Sequence, residues 1–521
     1  MTLHKRHLPF VLAALSWAML PALCRGQAPG GAAPGGGSRA TSLPLSGRSG
    51  QENAVTAQQS ATSGSGVATV SSSIQVGGNF AGSVPTQAES TGPLSLTMAE
   101  AVKKGLAANL GVIASDASSR ATRAARLQSL SSLLPDISLS ASETVTQVNL
   151  AAYGLKLNIP TVPGIPSFNI PTVVGPYSYS QLQGNLSQSV FDPVRIRNWK
   201  ASKETERASL LSAKDARELV VFAVAGTYLQ LEQAVARVES QQAQVANAEA
   251  IHRQAAVRKE VGTNAKIDVV RTMVELQTQQ QRLASFRSDV RKQEITLARL
   301  VGLPQDRKIV PRDALYYHPV ALPEVEQEVA YAWAHRSDLR QAEAQVHAAE
   351  LVLSAAHAER LPSVSLSGNY GAIGPNPTSA HGVFGVTGSI NVPLYQGGRL
   401  RADIQQAEAT LSQRRAELQD QKARVEQEVR TACIDLQTAA GQVQLADSNR
   451  KYAAETLAES RDRFGAGVAT TVEVVQAQEQ VANAESDYLT SLFSFDLARL
   501  ALARATGQAE GQVPDLSGGK Q

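Results

Sequence analysis

Two different spacings of apolar residues follow one another along this chain and predict two kinds of element. Around residues 137–142 and 384–392, almost every second residue is apolar, with serine, threonine, asparagine or glycine between. A period of two predicts strands with one apolar and one polar face. Two stretches at about 195–260 and 399–464 place apolar residues three and four positions apart. This spacing predicts very long helices, which could each reach roughly 100 Å at about 1.5 Å per residue.

The same sequence pattern occurs twice. Residues 134–140 (LPDISLS) match residues 361–367 (LPSVSLS). Gly262 and the IDVV sequence after it match Gly467 and the VEVV sequence after it, 205 residues further on. The pattern therefore predicts a tandem duplication.

Each predicted repeat contains a helix, a β-hairpin, a long helix and a return helix. The first repeat spans 94–302 with its hairpin at 136–191, and the second spans 303–507 with its hairpin at 362–393. Prolines cluster between the strands of the first hairpin, which predicts a longer loop there. The expected fold is mainly α with a small β part.

The strands and helices together favour an assembly of several chains. Four strands cannot close a barrel alone, because the smallest membrane barrels have about eight. The polar faces of the predicted strands suit a water-filled lumen, and their apolar faces suit lipid. The narrow apolar stripe of the long helices suits helices packed side by side around water. An ordinary coiled coil is the alternative that the helices alone leave open.

The two ends of the chain differ from this body. Residues 1–26 combine a basic start, a short apolar run and small residues, which predicts a secretory signal cleaved after Gly26. An uncleaved anchor and a lipid on Cys24 are the alternatives. Residues 27–93 are rich in glycine, serine and alanine and predict a disordered leader, and 508–521 a flexible tail. Beyond the signal no uninterrupted apolar stretch of about 18 residues occurs, so no transmembrane helix is predicted in the mature chain.

Composition and motifs mainly exclude functions. The net charge of +3 over 521 residues does not indicate nucleic-acid binding, and 5% aromatic residues argue against one large globular core. After cleavage only Cys433 remains, so the fold must be stable without a disulfide. The histidines show no metal-ligand spacing, and neither a nucleophile elbow between a strand and a helix nor a phosphate loop occurs. We therefore expect no enzyme activity, no metal and no cofactor.

Two motifs resemble those of a known family. Residues 392–400 read VPLYQGGRL, and residues 464–470 read FGAGVAT. In both, the chain resembles the TolC family of outer-membrane factors. That family joins its last strand to its long helix by a Pro-apolar-aromatic-x-Gly-Gly-Arg run and has an aromatic-x-x-Gly-x-x-Thr helical tip. Residues 190–193 with Arg195 are a degenerate copy of the first motif, and the resemblance covers nearly all of 94–507.

The resemblance implies a fold, a location and partners. Members are homotrimers with a 12-stranded β-barrel in the outer membrane and a tube of antiparallel helices in the periplasm. A helical belt surrounds the tube, and residues 303–336 would help to form it. The implied function is a passive exit duct of a tripartite efflux or type I secretion system. A periplasmic adaptor would open it, and an inner-membrane pump or secretion ATPase would supply the energy; the cargo is not implied.

The motifs also assign roles to individual residues. Pro193, Pro393, Gly397 and Gly398 would form strand-to-helix hinges, because proline limits strand pairing and paired glycines permit a bend. The helical tips would contact the adaptor through Val261, Gly262, Thr263, Gly467, Val468 and Ala469. The alternative for the two tip glycines, which is compatible with the first, is that they only cap helices.

Two acidic residues lie just past the tips. Three copies each of Asp268 and Glu473 would form a negative ring that favours cations and holds the periplasmic mouth in a charge-dependent state. The alternative is that each carboxylate only stabilises a helix N-terminus, by about 0.3–1 kcal/mol. Ala469 stands where some members have an arginine and Gln476 where they have another acid. A gate locked by that ion pair is therefore not expected.

A trimeric coiled-coil stalk with a structural or adhesive role is the rival function. It predicts no amphipathic strands between the helices and does not explain the duplication. The sequence therefore favours the channel.

Overall fold

The structure, a computed structural model, describes most of the chain from residue 55 onward. All described residues belong to one compact unit, Ser49–Gln521. The predicted signal at 1–26 lies outside the described residues. The described residues are 55–64, 67–85, 92–154, 172–262, 265–313, 315–320 and 323–516.

An N-terminal hairpin precedes the first repeat, which contains two helices, two long strands, a long helix and a return helix. The elements are β1 (Val55–Gly64), β2 (Val67–Val76), β3 (Leu94–Leu96), α1 (Met98–Ala108), α2 (Leu110–Ser131), β4 (Asp136–Asn149), β5 (Val173–Phe191), α3 (Pro193–Glu260) and α4 (Lys266–Val301). With 68 residues, α3 is about 100 Å long at 1.5 Å per residue.

The second repeat has the same order of elements. They are β6 (Ile309–Pro311), α5 (Val325–His335), α6 (Ser337–Ala358), β7 (Ser363–Gly374), β8 (His381–Asn391), α7 (Arg399–Gly465) and α8 (Thr471–Thr506), followed by α9 (Ala509–Leu516). The short strands β3 and β6 pair in parallel and join the two repeats.

Two expectations about irregular segments are wrong. Within the leader expected to be disordered, β1 and β2 form an antiparallel hairpin, and Ile74 is buried in the main core. The tail expected to be flexible contains α9, whose first residue, Ala509, is fully buried. Composition does not reveal these elements, because the burial of residues such as Ile74 and Ala509 depends on contacts with distant parts of the chain.

The helix expected before each hairpin is divided in two. The helix expected before the first hairpin breaks at Asn109, whose extended backbone ends α1. The Oδ1 atom of Asn109 then accepts a hydrogen bond from Gly111 N–H at 2.8 Å and begins α2. In the second repeat, Arg336 has extended backbone and separates α5 from α6.

The four long strands form one antiparallel sheet in the order β4-β5-β7-β8. Side chains directly opposite each other share a face. Tyr370 pairs with Phe384 on one face, and Asn185 pairs with Asn369 on the other. The predicted apolar and polar faces are therefore confirmed. Among the described residues, β4 and β8 each pair with only one strand, so each leaves one edge unpaired.

The helices lie side by side in two successive layers. Near the sheet the order is α2, α3, α6, α7, and beyond it the order is α4, α3, α8, α7. The long helices α3 and α7 run through both layers, while α4 and α8 replace α2 and α6. Each layer therefore ends in α2 or α4 on one side and in α7 on the other.

The largest core surrounds the middle of α3. Every residue from Val220 to Leu229 is buried, covered by α1, α4, α8 and the N-terminal hairpin. The narrow apolar stripe expected along this helix is therefore wrong here, because the helix is apolar and covered on all sides. By length and composition, one window of α3 could cross a membrane, but 72% of that window is buried inside the protein.

Candidate functional site: helical tips, joints and edges

The turn between α7 and α8, residues 465–470, is the second tip, and backbone hydrogen bonds close it. Gly467 has a φ of +78°, a conformation that a Cβ atom would disfavour. Gly467 N–H donates to Phe464 O at 3.1 Å, and Val468 N–H donates to Arg463 O at 2.9 Å. Gly467 thus ends α7 as a left-handed cap. Val468 is exposed and Ala469 is buried.

Glu473 has a local role at the start of α8. The Thr470 hydroxyl accepts a hydrogen bond from Glu473 N–H at 3.4 Å, and the Glu473 carboxylate accepts one from Thr470 N–H at 3.4 Å. This reciprocal pair is a capping box, which satisfies two backbone donors of the helix end. Arg463 lies 4.0 Å from the same carboxylate.

The turn between α3 and α4, residues 261–265, is the first tip, and it lacks a comparable cap. Gly262 has a φ of +80° and donates from its N–H to Lys259 O at 3.0 Å. Ala265 occupies the N-cap position of α4, where its side chain offers no hydrogen bond. Asp268 follows as the third helical residue, and Arg271 lies 3.4 Å from its carboxylate. Thr263 lies outside the described residues.

The two tips are tied together by an arginine. The Arg258 guanidinium lies 4.3 Å from the centre of the Phe464 ring. It donates hydrogen bonds to Phe464 O at 2.9 Å and to Gly465 O at 3.1 Å. Ile251 of α3 also enters the apolar cluster beneath the second tip, which includes Ala469. The end of α3 at the first tip therefore packs directly against the second tip.

The first tip exposes more apolar surface than the second. Val261 is 73% exposed and Ile267 is 61% exposed, and Val257 and Val270 are exposed beside them. At the second tip, Phe464 and Val474 are buried instead.

Each long helix starts at a joint where an arginine contacts the end of the preceding helix. At the first joint, Asp192 caps α3 and accepts from Arg195 N–H at 3.0 Å, while Arg195 Nη1 donates to Ser132 O at 2.8 Å. Pro193 is buried at the first position of α3.

At the second joint, Gly397 and Gly398 have φ values of +59° and +88°, which permit the expected bend. Pro393 follows the last residue of β8 by two positions, so the bend lies just past the sheet. Arg399 lies 3.1 Å from Glu359 at the end of α6 and thus corresponds to Arg195.

The outer helices of the second layer carry exposed heptad stripes, in which successive positions are three or four residues apart. The α4 stripe consists of Ile267, Val270, Val274, Gln277, Gln281, Ala284 and Ser288. The α7 stripe consists of Ile434, Thr438, Gly441, Leu445, Ser448 and Tyr452. Each stripe lies opposite the face of its helix that packs within the layer.

Metal ligands do not converge anywhere in the described part of the chain. No three His, Cys, Asp or Glu side chains lie close enough together there to hold a metal ion. Helix caps and ion pairs form the tips and joints, while the stripes combine apolar residues with small or polar ones.

A family profile described as "Outer membrane efflux protein" matches residues 101–303 and 330–508, well over half of the chain. The chain belongs to the outer membrane efflux protein family. It is 23% identical over 401 residues to the outer membrane efflux protein BepC of Brucella suis, covering 73% of this chain and 86% of that protein. It is 24% identical over 315 residues to OpmQ, a pyoverdine export outer membrane protein of Pseudomonas putida, covering 58% and 64%.

Solved channels of this family share the fold. The outer membrane channel CmeC of Campylobacter jejuni superposes with a TM-score of 0.69 at 16% identity, over 83% of this chain and 92% of that one. VceC of Vibrio cholerae gives 0.65 at 20% identity, over 79% and 96%. The resemblance to TolC channels is therefore confirmed, and so is the location in the outer membrane with the helices in the periplasm.

Sequence reasoning for this outer membrane efflux protein missed the α4 and α7 stripes. The α4 stripe mixes valine and isoleucine with glutamine, alanine and serine, so its mean hydropathy is low. The stripe could have been found from its positions, which are alternately three and four residues apart along the helix.

Proposed function

We propose that this protein is one of three identical subunits of a channel that crosses the outer membrane and continues through the periplasm. The observation that carries the proposal is that neither the β-sheet nor the second helical layer is closed within one chain. The sheet leaves the outer edges of β4 and β8 unpaired, and the second helical layer ends in two exposed heptad stripes. Unpaired strand edges within lipid would leave backbone groups without hydrogen bonds.

Neighbouring subunits related by one rotation would cover the exposed edges of the β-sheet and of the second helical layer. The β8 edge of one subunit would pair with the β4 edge of the next, and the α7 stripe would pack against the next α4 stripe. Such a head-to-tail contact closes into a ring when the rotation is a simple fraction of a circle. With three subunits the barrel has 12 strands, the number that the resemblance implies. The polar face of the sheet would then line the lumen.

An arginine in the α7 stripe should break the assembly. We expect Leu445→Arg to shift the purified protein from trimer to monomer, because Leu445 is 68% exposed in the single chain but would be buried between subunits. Size-exclusion chromatography with light scattering in detergent measures the mass. Gln444→Arg is the control, because this exposed neighbour lies about 100° further around the helix. A trimer that survives Leu445→Arg but not Gln444→Arg would exclude the stripe as the interface.

The proposed transport is passive, without enzymatic chemistry in this chain. A periplasmic adaptor would bind the tips, and an inner-membrane pump or secretion ATPase would supply the energy. The exposed valines and isoleucine of the first tip support an apolar contact with a helical adaptor, made by Val261 and Gly262 with Gly467 and Val468 of the second tip. Ala469 is buried and would support this surface from beneath.

Neutralising the acidic residues past the tips tests the proposed mouth. We expect Asp268→Asn combined with Glu473→Gln to give larger, less cation-selective single-channel currents in planar bilayers, because the negative ring would be lost. Glutamine at 473 can preserve the capping box. Glu479→Gln, an exposed carboxylate later in α8, is the control. Unchanged selectivity would leave both carboxylates with the role of stabilising helix ends only.

A further inference from the structure

A segment of the N-terminal leader, Ile74–Val84, packs against the main core and is here named the clasp. Ile74 inserts between α3 and α8. A Cβ atom added to Gly226 of α3 would overlap Ile74 Cδ1 and would lie 3.5 Å from Leu497 Cδ1 of α8. The glycine therefore provides the space in which Ile74 contacts both helices.

The middle of the clasp is seated on the start of α2. A Cβ atom at Gly111 would overlap the Phe80 ring, so Phe80 also packs against a glycine. Asn109 Nδ2 donates a hydrogen bond to Phe80 O at 2.8 Å, and Asn109 Oδ1 accepts one from Gly111 N–H. One side chain thus joins the clasp to the break between α1 and α2.

Backbone hydrogen bonds complete this contact. Leu110 N–H donates to Gly82 O at 2.9 Å, and Val84 N–H donates to Ala108 O at 2.9 Å. The clasp therefore supplies partners for a donor and an acceptor on either side of the break. The Ser83 hydroxyl also donates to Arg299 O near the end of α4.

These contacts involve both repeats. Below the core, the α3/α4 pair and the α7/α8 pair meet mainly through α3 and α8. At the tip, Arg258 of α3 joins the two pairs by donating to Phe464 O of α7. Midway along the helices, Arg237 of α3 donates to Thr490 Oγ1 of α8 at 2.9 Å. Ile74 packs between α3 and α8 at the end of this contact farthest from the tips, next to the most deeply buried part of α3.

We propose that the clasp fixes the pivot about which the two helix pairs move, and so restrains the opening of the tips. This inference rests on the proposed channel function and on the opening of the duct by an adaptor at the tips, which the resemblance to the TolC family implies. The ligand of the site is a segment of the same chain, held by two glycines, one asparagine and the backbone of the helix break.

The proposal is tested on the full-length trimer by hydrogen exchange and by single-channel currents. We expect Ile74→Ala to speed amide exchange in α3 and α8 near Gly226 and at both tips by about tenfold or more, the effect of cutting a buried isoleucine to alanine. We also expect longer or larger openings in planar bilayers. Val84→Pro, which removes one clasp hydrogen bond, should act in the same direction, and Val84→Ala, which keeps that N–H, should match the wild type.

The two readouts separate this inference from the channel function. Faster exchange at Leu110 and around Gly226 would show that the clasp is released. If exchange at the tips then stays unchanged, the clasp does not restrain the tips and the proposal is wrong. If Ile74→Ala does not assemble, Val84→Pro decides by the same comparison. If the wild type carries no current, the channel function fails, whereas tip exchange still decides whether the clasp restrains the helices.

Discussion

Replacing Arg336 with alanine should lower the free energy of unfolding by about 3–5 kcal/mol, the typical cost of removing one partner of a buried ion pair. Arg336 is only 2% exposed at the junction of α5 and α6. It forms a fork with Asp338, with Nε–Oδ1 and Nη2–Oδ2 distances of 3.0 and 2.6 Å. It also donates to Ala505 O at 3.2 Å and pairs with Glu428 of α7. The variant would leave the largely buried Asp338 carboxylate without its charged partner and would remove the arginine donor from the buried Ala505 carbonyl.

The charge state of Asp338 depends on this arginine. Burial alone would raise the pKa of Asp338, but the hydrogen bonds and charge of Arg336 hold that pKa below its usual value. The remaining donors to this carboxylate, Gln421 Nε2 at 2.7 Å and Leu339 N–H at 2.8 Å, are both neutral and cannot replace the charge of the arginine. Without Arg336, the junction of α5 and α6 loses its side-chain contacts with Glu428 of α7 and Ala505 of α8.

Thermal and denaturant unfolding of the detergent-solubilised protein would measure the effect. Arg430→Ala is the matched control, because Arg430 forms ion pairs with Glu426 and Glu326 on the exposed surface of α7. Exposed pairs contribute little to stability. Equal melting temperatures for the two variants would show that the Arg336 network does not stabilise the fold.

The regular parts of this fold could be predicted from the sequence because their side chains repeat with a single period. The alternation at Phe384 and Val386 gave the strand and its apolar face correctly. The glycines of the VPLYQGGRL motif marked the bend before α7, where Gly397 and Gly398 have positive φ. In each case the neighbouring residues alone determine the local structure, so no distant contact was needed.

The parts that could not be predicted depend on distant contacts. Ile74 lies in a segment whose composition indicates disorder, and only Gly226, 152 positions later, provides its site. The run from Val220 to Leu229 is apolar except for Gly226 and Thr227, and this composition is typical of a helix buried on all sides, not of one with a single apolar stripe. Its cover comes from helices far away in the sequence.

At the candidate site, the sequence located both tips but could not tell how they differ. The motif Thr470-x-x-Glu473 predicts a capping box by itself. Ala265 at the corresponding position of the first tip has no such capacity. That Arg258 joins the two tips depends on the packing of α3 against α7 and α8, which no local pattern contains.

Three carboxylates from separate segments interact through their charges beside the main core. Glu232 of α3 is only 5% exposed, and its Oε1 atom has no hydrogen-bond partner among the described residues. Asp313 accepts a hydrogen bond from Met98 N–H at 2.7 Å and lies 3.1 Å from the Tyr228 hydroxyl. Asp496 of α8 lies 3.5 Å from Arg499. Burial, together with Asp313 and Asp496, raises the pKa of Glu232 to about 8 from an ordinary value of 4.5.

This raised pKa makes the stability of the core depend on pH in a defined direction. Between about pH 4.5 and 8 the folded protein keeps a proton on Glu232 that the unfolded chain has already released. Stability must therefore fall as the pH rises through this window. Burial also raises the pKa of Asp496 to about 7, although Arg499 opposes it, so this group acts in the same direction.

Glu232→Gln should remove about half of this dependence, because Asp496 has a similarly raised pKa and still titrates in the variant. We expect the variant to match the wild type near pH 5 and to be more stable above pH 8, by an amount on the order of a few kcal/mol, because a neutral amide has no proton to lose. Melting temperatures measured from pH 5 to 9 in detergent test this, and Glu239→Gln, an exposed carboxylate two turns later on α3, should keep the wild-type slope. If the Glu232→Gln and wild-type curves run parallel, the proton on Glu232 does not control the stability of the core. A shallower slope for Glu232→Gln than for the wild type would show that a buried proton on α3, close to Asp496 of α8, stabilises the core below pH 8.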